Sequence, residues 1–176
     1  MLILLVDDDL EAAQALGDAL RTAGDEWEVR HVSSGRQAMS QSTDPTIRCV
    51  LLDYRLPDHD GLVCLRHLRQ TRPDLPVIMI TGAGSEHVAV EAMKLGAADY
   101  VVKHGTYVQA VPGIVREALG RRALASAATP AYGAAMPAVS AAVLARFAAE
   151  GFIAHSAAMQ RVFGLLERAA QSRATV

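Results

Sequence analysis

The sequence has few cysteines, no excess of positive charge and no long apolar run. Its two cysteines, Cys49 and Cys64, are too far apart for a CxxC redox or zinc pair, and such scarcity is typical of a reducing cytoplasm. Lysine and arginine total 17 against 19 acidic residues, so the net charge of -2 provides no basic field for nucleic acid. Direct nucleic-acid binding by this chain is therefore not expected.

The chain also lacks a recognisable targeting or membrane segment. Its apolar start, residues 1–6, is followed at once by three aspartates and is too short for a signal peptide or a transmembrane helix. We therefore expect a cytoplasmic protein without a membrane partner. With 176 residues and 51% hydrophobic content, the chain is long enough for one well-buried domain and an appendage.

Apolar runs of strand length recur along the chain, separated by helical patterns. The runs occupy residues 2–6, 27–32, 47–52, 77–80 and 100–102. Helical spacing lies between them, as in Leu62, Leu65 and Leu68 before Pro73, and the alternation occurs five times. Three of the runs are continuously apolar, as in parallel strands that are covered on both faces. The pattern predicts an α/β fold, a doubly wound five-stranded parallel sheet with a C-terminal helical extension.

Polar residues directly follow the predicted strands, where ligands bind in such sheets. These residues are Asp7 and Asp8 after the first run, Asp53 after the third, Thr81 after the fourth and Lys103 after the fifth. Converging carboxylates repel one another unless a hard cation lies between them, and their oxygens suit Mg²⁺. With the metal and the Lys103 cation neutralising charge, Asp53 could accept a phosphoryl group. The residues alone thus predict a site for Mg²⁺-dependent phosphoryl transfer.

Four segments carry a resemblance to a known family. They are VDDD at 6–9, LLDYRLPDHDG at 51–61, VIMITG at 77–82 and DYVVK at 99–103. Together they resemble the response-regulator receiver domain of two-component signalling, and the resemblance covers roughly residues 1–120. It implies the flavodoxin-like receiver fold with strand order 2-1-3-4-5, a homodimer, and a sensor histidine kinase or phosphotransfer protein as the phosphohistidine donor.

The resemblance also implies roles for individual residues in the phosphoryl chemistry. Asp53 would be the phosphoacceptor, and Lys103 would supply the cation that contacts the phosphoryl group. Thr81 would donate its hydroxyl to a phosphoryl oxygen. Tyr100 matches the aromatic residue that changes position together with this hydroxyl, so the pair would form the switch.

A metal site is implied by the same resemblance. Asp7 and Asp8 correspond to the acidic pair of the pocket. Mg²⁺, or Mn²⁺ in its place, would be held by Asp8, Asp53 and the backbone carbonyl of Arg55. Asp7 would act through a coordinated water.

The sequence departs from the family after Lys103. His104 and Gly105 follow it, whereas the family usually has a proline there that is joined by a cis peptide bond. A cis bond without proline costs about 2.5–4 kcal/mol, so we expect a trans bond and a differently shaped loop. The departure leaves open whether Lys103 reaches the acidic pocket, and it brings the usual dimer face of the last two βα units into question.

The other acidic residues and the histidines receive structural interpretations. Asp9 stands immediately before a predicted helix and is expected to cap it. Asp58 and Asp60 lie in a Pro-Asp-His-Asp-Gly turn, where aspartate is favoured for backbone reasons. The six histidines show no metal-ligand spacing and are expected to be structural or solvent-facing.

We predict three parts of the chain: a receiver domain at 1–122, a partly helical Ala-rich linker at 123–150, and a helical segment at 151–176. The last segment resembles the start of the AAA+ domain of sigma-54-dependent activators, at Ser156, AMQ at 158–160 and ATV at 174–176. The resemblance implies control of a sigma-54-type transcription activator. No Walker A loop is present, so ATP hydrolysis is not expected. We expect a naturally shortened gene or a truncated chain.

Two other functions compete with the phosphoacceptor. One is a receiver-fold module that dimerises without being phosphorylated. The other is a Mg²⁺-dependent phosphatase with an aspartyl-phosphate intermediate, whose family expects a second acid where Arg55 stands. The joint presence of Asp53, Thr81 and Lys103 favours the phosphoacceptor, with self-phosphorylation and autodephosphorylation as the only enzymatic activities expected.

Overall fold

The computed structural model describes residues 1–23, 27–82 and 86–127, and of residues 86 and 124–127 it describes the backbone alone. Its strands are β1 (Leu2–Val6), β2 (Glu28–Val32), β3 (Ile47–Asp53), β4 (Val77–Thr81) and β5 (Asp99–Val102). Its helices are α1 (Leu10–Thr22), α2 (Gly35–Ser40), α3 (Gly61–Thr71), α4 (Glu86–Lys94) and α5 (Tyr107–Ala127). None of the helices in these ranges combines the length and apolar character that crossing a bilayer requires.

The five strands form one parallel sheet in the order β2-β1-β3-β4-β5. This arrangement confirms the predicted doubly wound sheet and its strand order. Two predicted strand starts were wrong by one residue, since β2 begins at Glu28 and β5 at Asp99. Hydrophobicity does not mark where strand pairing begins: Glu28 pairs with Leu2 and Asp99 pairs with Ile78.

Helices cover both faces of the sheet, which accounts for the continuously apolar strands. One hydrophobic cluster joins the sheet to α1 through Leu16 and Leu20, and to α5 through Val111 and Val115. The alternate residues of β1 and β3, such as Leu4 and those at 50 and 52, are equally buried and point to the opposite face. Because β1 and β3 are covered on both faces, their carboxyl ends are held firmly in place.

Local signals set several helix ends. The Asp9 carboxylate accepts hydrogen bonds from the amides of Glu11 and Ala12 at 3.0 and 3.1 Å, which confirms it as the cap of α1. Asp60 caps α3 by accepting from the Leu62 amide at 2.7 Å. After α4, Gly96 adopts a φ of 88°, a conformation that glycine enters without strain.

Part of the predicted organisation lies outside the described residues. This applies to the linker from 128 onward and to the whole of the helical segment at 151–176. Helix α5 reaches Ala127. The three-part division of the chain therefore stays a prediction.

Gly61 provides a test of how closely β3 and α3 approach each other. A Cβ at this position would lie 2.5 Å from the Asp53 carbonyl oxygen and 2.8 Å from the Tyr54 Cα. Because these are backbone atoms, Gly61→Ala should lower the free energy of unfolding by about 1–3 kcal/mol. Gly120→Ala is the control, since nothing lies within 4 Å of its Cβ in α5, and it should be neutral or stabilising by up to about 1 kcal/mol. Equal urea midpoints for both variants would contradict the close approach.

Candidate functional site

The carboxyl ends of the strands bring the predicted site residues together. Asp53 is the last residue of β3, Asp7 directly follows β1, and Lys103 directly follows β5. Thr81 ends β4, where the preceding Ile80 pairs with Asp53. Because these strands are parallel, all of these residues lie along one edge of the sheet.

The Lys103 ammonium lies between two buried carboxylates at this edge. Its Nζ is 2.7 Å from Asp7 Oδ2 and 2.9 Å from Asp53 Oδ2. The side chains of Asp7 and Asp53 are only 2% and 8% exposed, and that of Lys103 is 14% exposed. Hydrogen bonds between charged groups are strong in such a poorly solvated setting. The two contacts of Lys103 thus connect the ends of three strands, β1, β3 and β5.

The loop after Lys103 does not displace this side chain, so that possibility raised by the sequence was wrong. The described residues contain no cis peptide bond, and the Lys103–His104 bond is therefore trans. The Lys103 amide donates to the Thr81 carbonyl at 2.7 Å, and the His104 amide donates to the Val102 carbonyl at 2.8 Å. Gly105 follows with a φ of 57°. These contacts orient Lys103 toward the pocket without the proline.

Burial and charge shift the pKa values of the site in opposite senses. Burial raises the pKa of Asp53, although the hydrogen bond from Lys103 acts to lower it. Burial acts against the charge of Lys103, but hydrogen bonds to Asp7 and Asp53 outweigh it and raise the pKa of the ammonium. Lys103 therefore stays charged, while Asp53 carries a carboxylate that one cation does not fully compensate.

The acidic residues of the pocket fit a hard divalent cation. Asp7, Asp8 and Asp53 each offer a carboxylate oxygen, and these oxygens all lie within 4.8 Å of one another. Three negative charges against the single charge of Lys103 leave two uncompensated. Asp53 Oδ1 is buried and has no hydrogen-bond partner among the described residues. Mg²⁺ and Mn²⁺ match both this charge and these oxygen ligands.

The two neighbouring aspartates differ in how their oxygens are used. Asp7 accepts from the Asp9 amide at 3.1 Å on Oδ1 and from Lys103 on Oδ2, so both of its oxygens are engaged. Asp8 is exposed, and its carboxylate lies within 4.8 Å of those of Asp7 and Asp53. Asp8 and Asp53 are therefore better placed than Asp7 to bind a cation directly.

Thr81 and Tyr100 share one face of the sheet. Thr81 is fully buried, and Tyr100 is only 5% exposed. Thr81 pairs with Val102 in the sheet, and Tyr100 precedes Val102 by two residues, which places all three side chains on the same face. The register of β4 and β5 thus places the two predicted switch residues on the same face of the sheet.

Two residues near the site have contacts that sequence reasoning missed. His31 Nε2 lies 2.7 Å from the Asp7 carbonyl oxygen and fixes the start of the acidic loop from β2. Asp58, taken only as a turn residue, accepts hydrogen bonds from the Gly35 and Arg36 amides at 2.8 and 2.9 Å. Because β2 pairs with β1, the position of His31 near the end of β2 could have indicated a contact near Asp7. No local signal predicts the partners of Asp58.

Residues 3–110 match the sequence profile of the response regulator receiver domain. The chain belongs to this family. Its fold agrees, since the receiver domain of NtrX from Brucella abortus has a TM-score of 0.61 at 31% identity, covering 67% of this chain and 98% of that one. The parallel sheet and its edge of polar residues are thus those of a receiver domain of two-component response regulators.

Two of the curated relatives of this chain are transcriptional regulatory proteins. Over 174 residues it is 34% identical to the transcriptional regulatory protein ZraR of Escherichia coli (strain K12), covering 99% of this chain and 36% of ZraR. It is 40% identical over 101 residues to the C4-dicarboxylate transport transcriptional regulatory protein DctD of Pseudomonas aeruginosa, covering 57% of this chain and 21% of DctD. The chain thus spans about a third or less of the length of these relatives.

The Lys103 contacts predict opposite stability effects for two substitutions in metal-free buffer. Lys103→Met leaves Asp7 and Asp53 buried without a cation, so the free energy of unfolding should fall by about 3 kcal/mol or more. Asp53→Asn should be stabilising at neutral pH, because it removes a carboxylate whose burial raises its pKa and leaves Lys103 paired with Asp7.

The pH dependence of the free energy of unfolding follows from the raised pKa of Asp53. Folded Asp53 binds its proton more tightly than the unfolded chain does, so the wild type loses stability as pH rises from the ordinary value of 3.8 through the folded pKa. The advantage of Asp53→Asn should therefore grow over that window in urea unfolding. A Lys103→Met variant as stable as the wild type would contradict the role of this ion pair.

Proposed function

We propose that this receiver domain accepts a phosphoryl group on Asp53 from the phosphohistidine of a sensor histidine kinase or phosphotransfer protein. The observation that carries the proposal is the placement of the Lys103 ammonium within 2.9 Å of both Asp7 and Asp53 at the carboxyl edge of the sheet. A carboxylate is a weak nucleophile toward an anionic phosphoryl group, so charge compensation at that point is the main requirement of the reaction.

The transfer requires only one covalent exchange. An oxygen of Asp53 attacks phosphorus, the P–N bond of the phosphohistidine breaks, and its electron pair stays on the imidazole, which takes a proton from water. Lys103 stabilises the negative charge that the phosphoryl oxygens bring into the pocket. The buried Asp53 Oδ1, which has no hydrogen-bond partner among the described residues, supports a carboxylate that is prepared for a further ligand.

A divalent ion would be held by Asp8, Asp53 and the backbone carbonyl of Arg55. Asp7 would contribute through a water, since its two carboxylate oxygens already accept hydrogen bonds from Asp9 and Lys103. When bound, Mg²⁺ or Mn²⁺ supplies the positive charge that offsets the two uncompensated carboxylates and the incoming phosphoryl group.

Phosphorylation would reach the output surface through Thr81 and Tyr100. The Thr81 hydroxyl would turn to donate to a phosphoryl oxygen, and the Tyr100 ring would move into the space left on the same face of the sheet. Their burial and their shared face support this coupling. The surface that changes would be formed by α4, β5 and α5.

The relatives support a proposal for the output. We propose a cytoplasmic homodimer that controls a sigma-54-type transcription activator, with the receiver at 1–122, a linker at 123–150 and an activator-like segment at 151–176. The ZraR alignment supports this division, because its 174 residues extend beyond the part that matches the receiver profile.

Phosphoryl uptake tests the proposal directly. The chain is incubated with Mg²⁺ and a small phosphodonor, and intact mass is measured; one phosphoryl adduct is expected on the wild type. Asp53→Asn and chelation of the metal should each abolish it. Asp8→Asn should reduce uptake strongly. The same substitution at the neighbouring residue, Asp9→Asn, should retain uptake, because the Asp9 side chain accepts hydrogen bonds from backbone amides of α1.

The alternatives give different outcomes in this assay. Absence of an adduct with every donor would favour a dimerisation module that is not phosphorylated. Continuous turnover of an unrelated phosphoester would favour the aspartyl-phosphate phosphatase. Equal uptake by Asp8→Asn and Asp9→Asn would contradict the assignment of Asp8 to the metal.

Thr81→Ala should separate uptake from signalling. The variant keeps Asp53 and Lys103, so it should still gain the phosphoryl group, while phosphorylation-dependent changes in amide exchange in β5 should be lost. Thr71→Ala is the matched control, since its hydroxyl contacts only His67 within α3: it donates to the His67 carbonyl at 3.0 Å and lies 3.5 Å from His67 Nε2. Unaltered exchange changes in Thr81→Ala would exclude its hydroxyl as the switch.

A further inference from the structure

The loop between β3 and α3, residues 54–60, has both ends fixed by backbone contacts. The Tyr54 amide donates to the Ile80 carbonyl at 3.0 Å, and the Gly61 amide donates to the Tyr54 carbonyl at 2.8 Å. Within the loop, Arg55 forms an isolated antiparallel bridge with Asp60. These contacts set the position of the loop beside Asp53 but leave its middle to be held by other groups.

Asp58 ties the middle of this loop to a different helix. Its Oδ1 accepts from the Gly35 amide at 2.8 Å and its Oδ2 accepts from the Arg36 amide at 2.9 Å, at the start of α2. The first amides of a helix have no partners within the helix, so they are available for such bonds. The bond from Arg36 is the main cause that lowers the pKa of Asp58 to about 2, which keeps the carboxylate ionised at neutral pH.

Close packing keeps α2 against the loop. A Cβ on Gly35 would lie 2.5 Å from Cys64 Sγ on α3 and 3.0 Å from the His59 Cβ in the loop. Only glycine permits this approach without displacing a neighbour. Helix α2 therefore forms a fixed support to which the loop is bonded.

We propose that Asp58 is a positioning residue for divalent-ion binding: its bonds to α2 hold the 54–60 loop so that the Arg55 carbonyl and Asp53 are oriented toward the ion. This inference rests on the proposed function and names the support of its metal site. Groups that orient metal ligands commonly change affinity by about tenfold or more when removed. The Lys103 contacts, which come from β5, should be unaffected.

Measuring Mn²⁺ binding to the full chain tests the proposal without measuring phosphorylation. The binding is monitored by the electron paramagnetic resonance signal of the free ion. Asp58→Ala should weaken Mn²⁺ binding by about tenfold or more. Asp58→Asn retains one carbonyl oxygen for the Gly35 amide, so it should bind more tightly than the alanine variant. In the uptake assay, Asp58→Ala should need more Mg²⁺ for half-maximal phosphorylation but reach the wild-type extent at saturation.

Two further variants separate the loss of the bonds from the loss of charge. Gly35→Ala changes no charge but forces α2 away from the loop, so it should weaken Mn²⁺ binding in the same direction. Asp44→Ala removes a carboxylate with an equally low pKa of about 2 that accepts from Thr46 and Arg30 before β3, at the opposite end of the strand. It should leave Mn²⁺ affinity unchanged.

Unchanged Mn²⁺ affinity in a folded Asp58→Ala protein, with folding checked by circular dichroism, overturns the proposal. Equal weakening in Asp58→Asn and Asp58→Ala also overturns it, because the effect then belongs to the charge. If Gly35→Ala does not fold, the comparison of Asp58→Asn with Asp58→Ala decides whether the hydrogen bonds or the charge control Mn²⁺ affinity. A wild type that binds no Mn²⁺ instead refutes the proposed metal site itself, so the two failures are distinguishable.

Discussion

The Lys103 ammonium, placed between the buried carboxylates of Asp7 and Asp53, is the interaction on which the rest of the site depends. Each partner comes from the end of a different strand, so the contact exists only because the sheet has its parallel order. Removing carboxylates from water is costly unless a cation accompanies them. Lys103 supplies part of that charge, and the negative charge that remains on the three carboxylates fits a divalent ion and makes Asp53 a candidate acceptor for phosphorus.

The fold protects this arrangement by holding each strand end in place. Capping by Asp9 fixes the chain immediately after the acidic pair, and His31 holds the Asp7 carbonyl from β2. Behind Asp53, Gly61 permits α3 to begin against the β3 backbone. Rigid supports of this kind keep charged groups at the distances that electrostatic stabilisation requires. Helix and strand ends therefore position the charged groups of the site as well as stabilising the fold.

Much of this organisation could be predicted from the sequence because it is encoded by local patterns. Continuous apolar runs marked β1, β3 and β4, and the polar residue after each run marked the edge where Asp53 and Thr81 lie. In helix α5, Val111 and Val115 are four residues apart, the spacing of one helix face, and both are fully buried. These features depend on hydrophobic burial and on residues close together in the chain.

The remainder depends on contacts between residues distant in the chain. Helix α2 has only six residues, too few for a hydrophobic period, and Asp58 caps it from more than 20 residues away. The position of Lys103 is similarly set by the bond from its backbone amide to the Thr81 carbonyl, 22 residues away in the chain. A sequence pattern contains the residues that form these bonds but not the geometry that joins them.

The most direct test of the account is the pKa of Asp53, measured from the carboxyl ¹³C shift during pH titration with and without Mg²⁺. Without metal, burial should hold the pKa above its ordinary value of 3.8 despite Lys103, and Mg²⁺ should lower it strongly because the ion stabilises the carboxylate. An Asp53 pKa at its ordinary value that does not respond to Mg²⁺ would contradict the account.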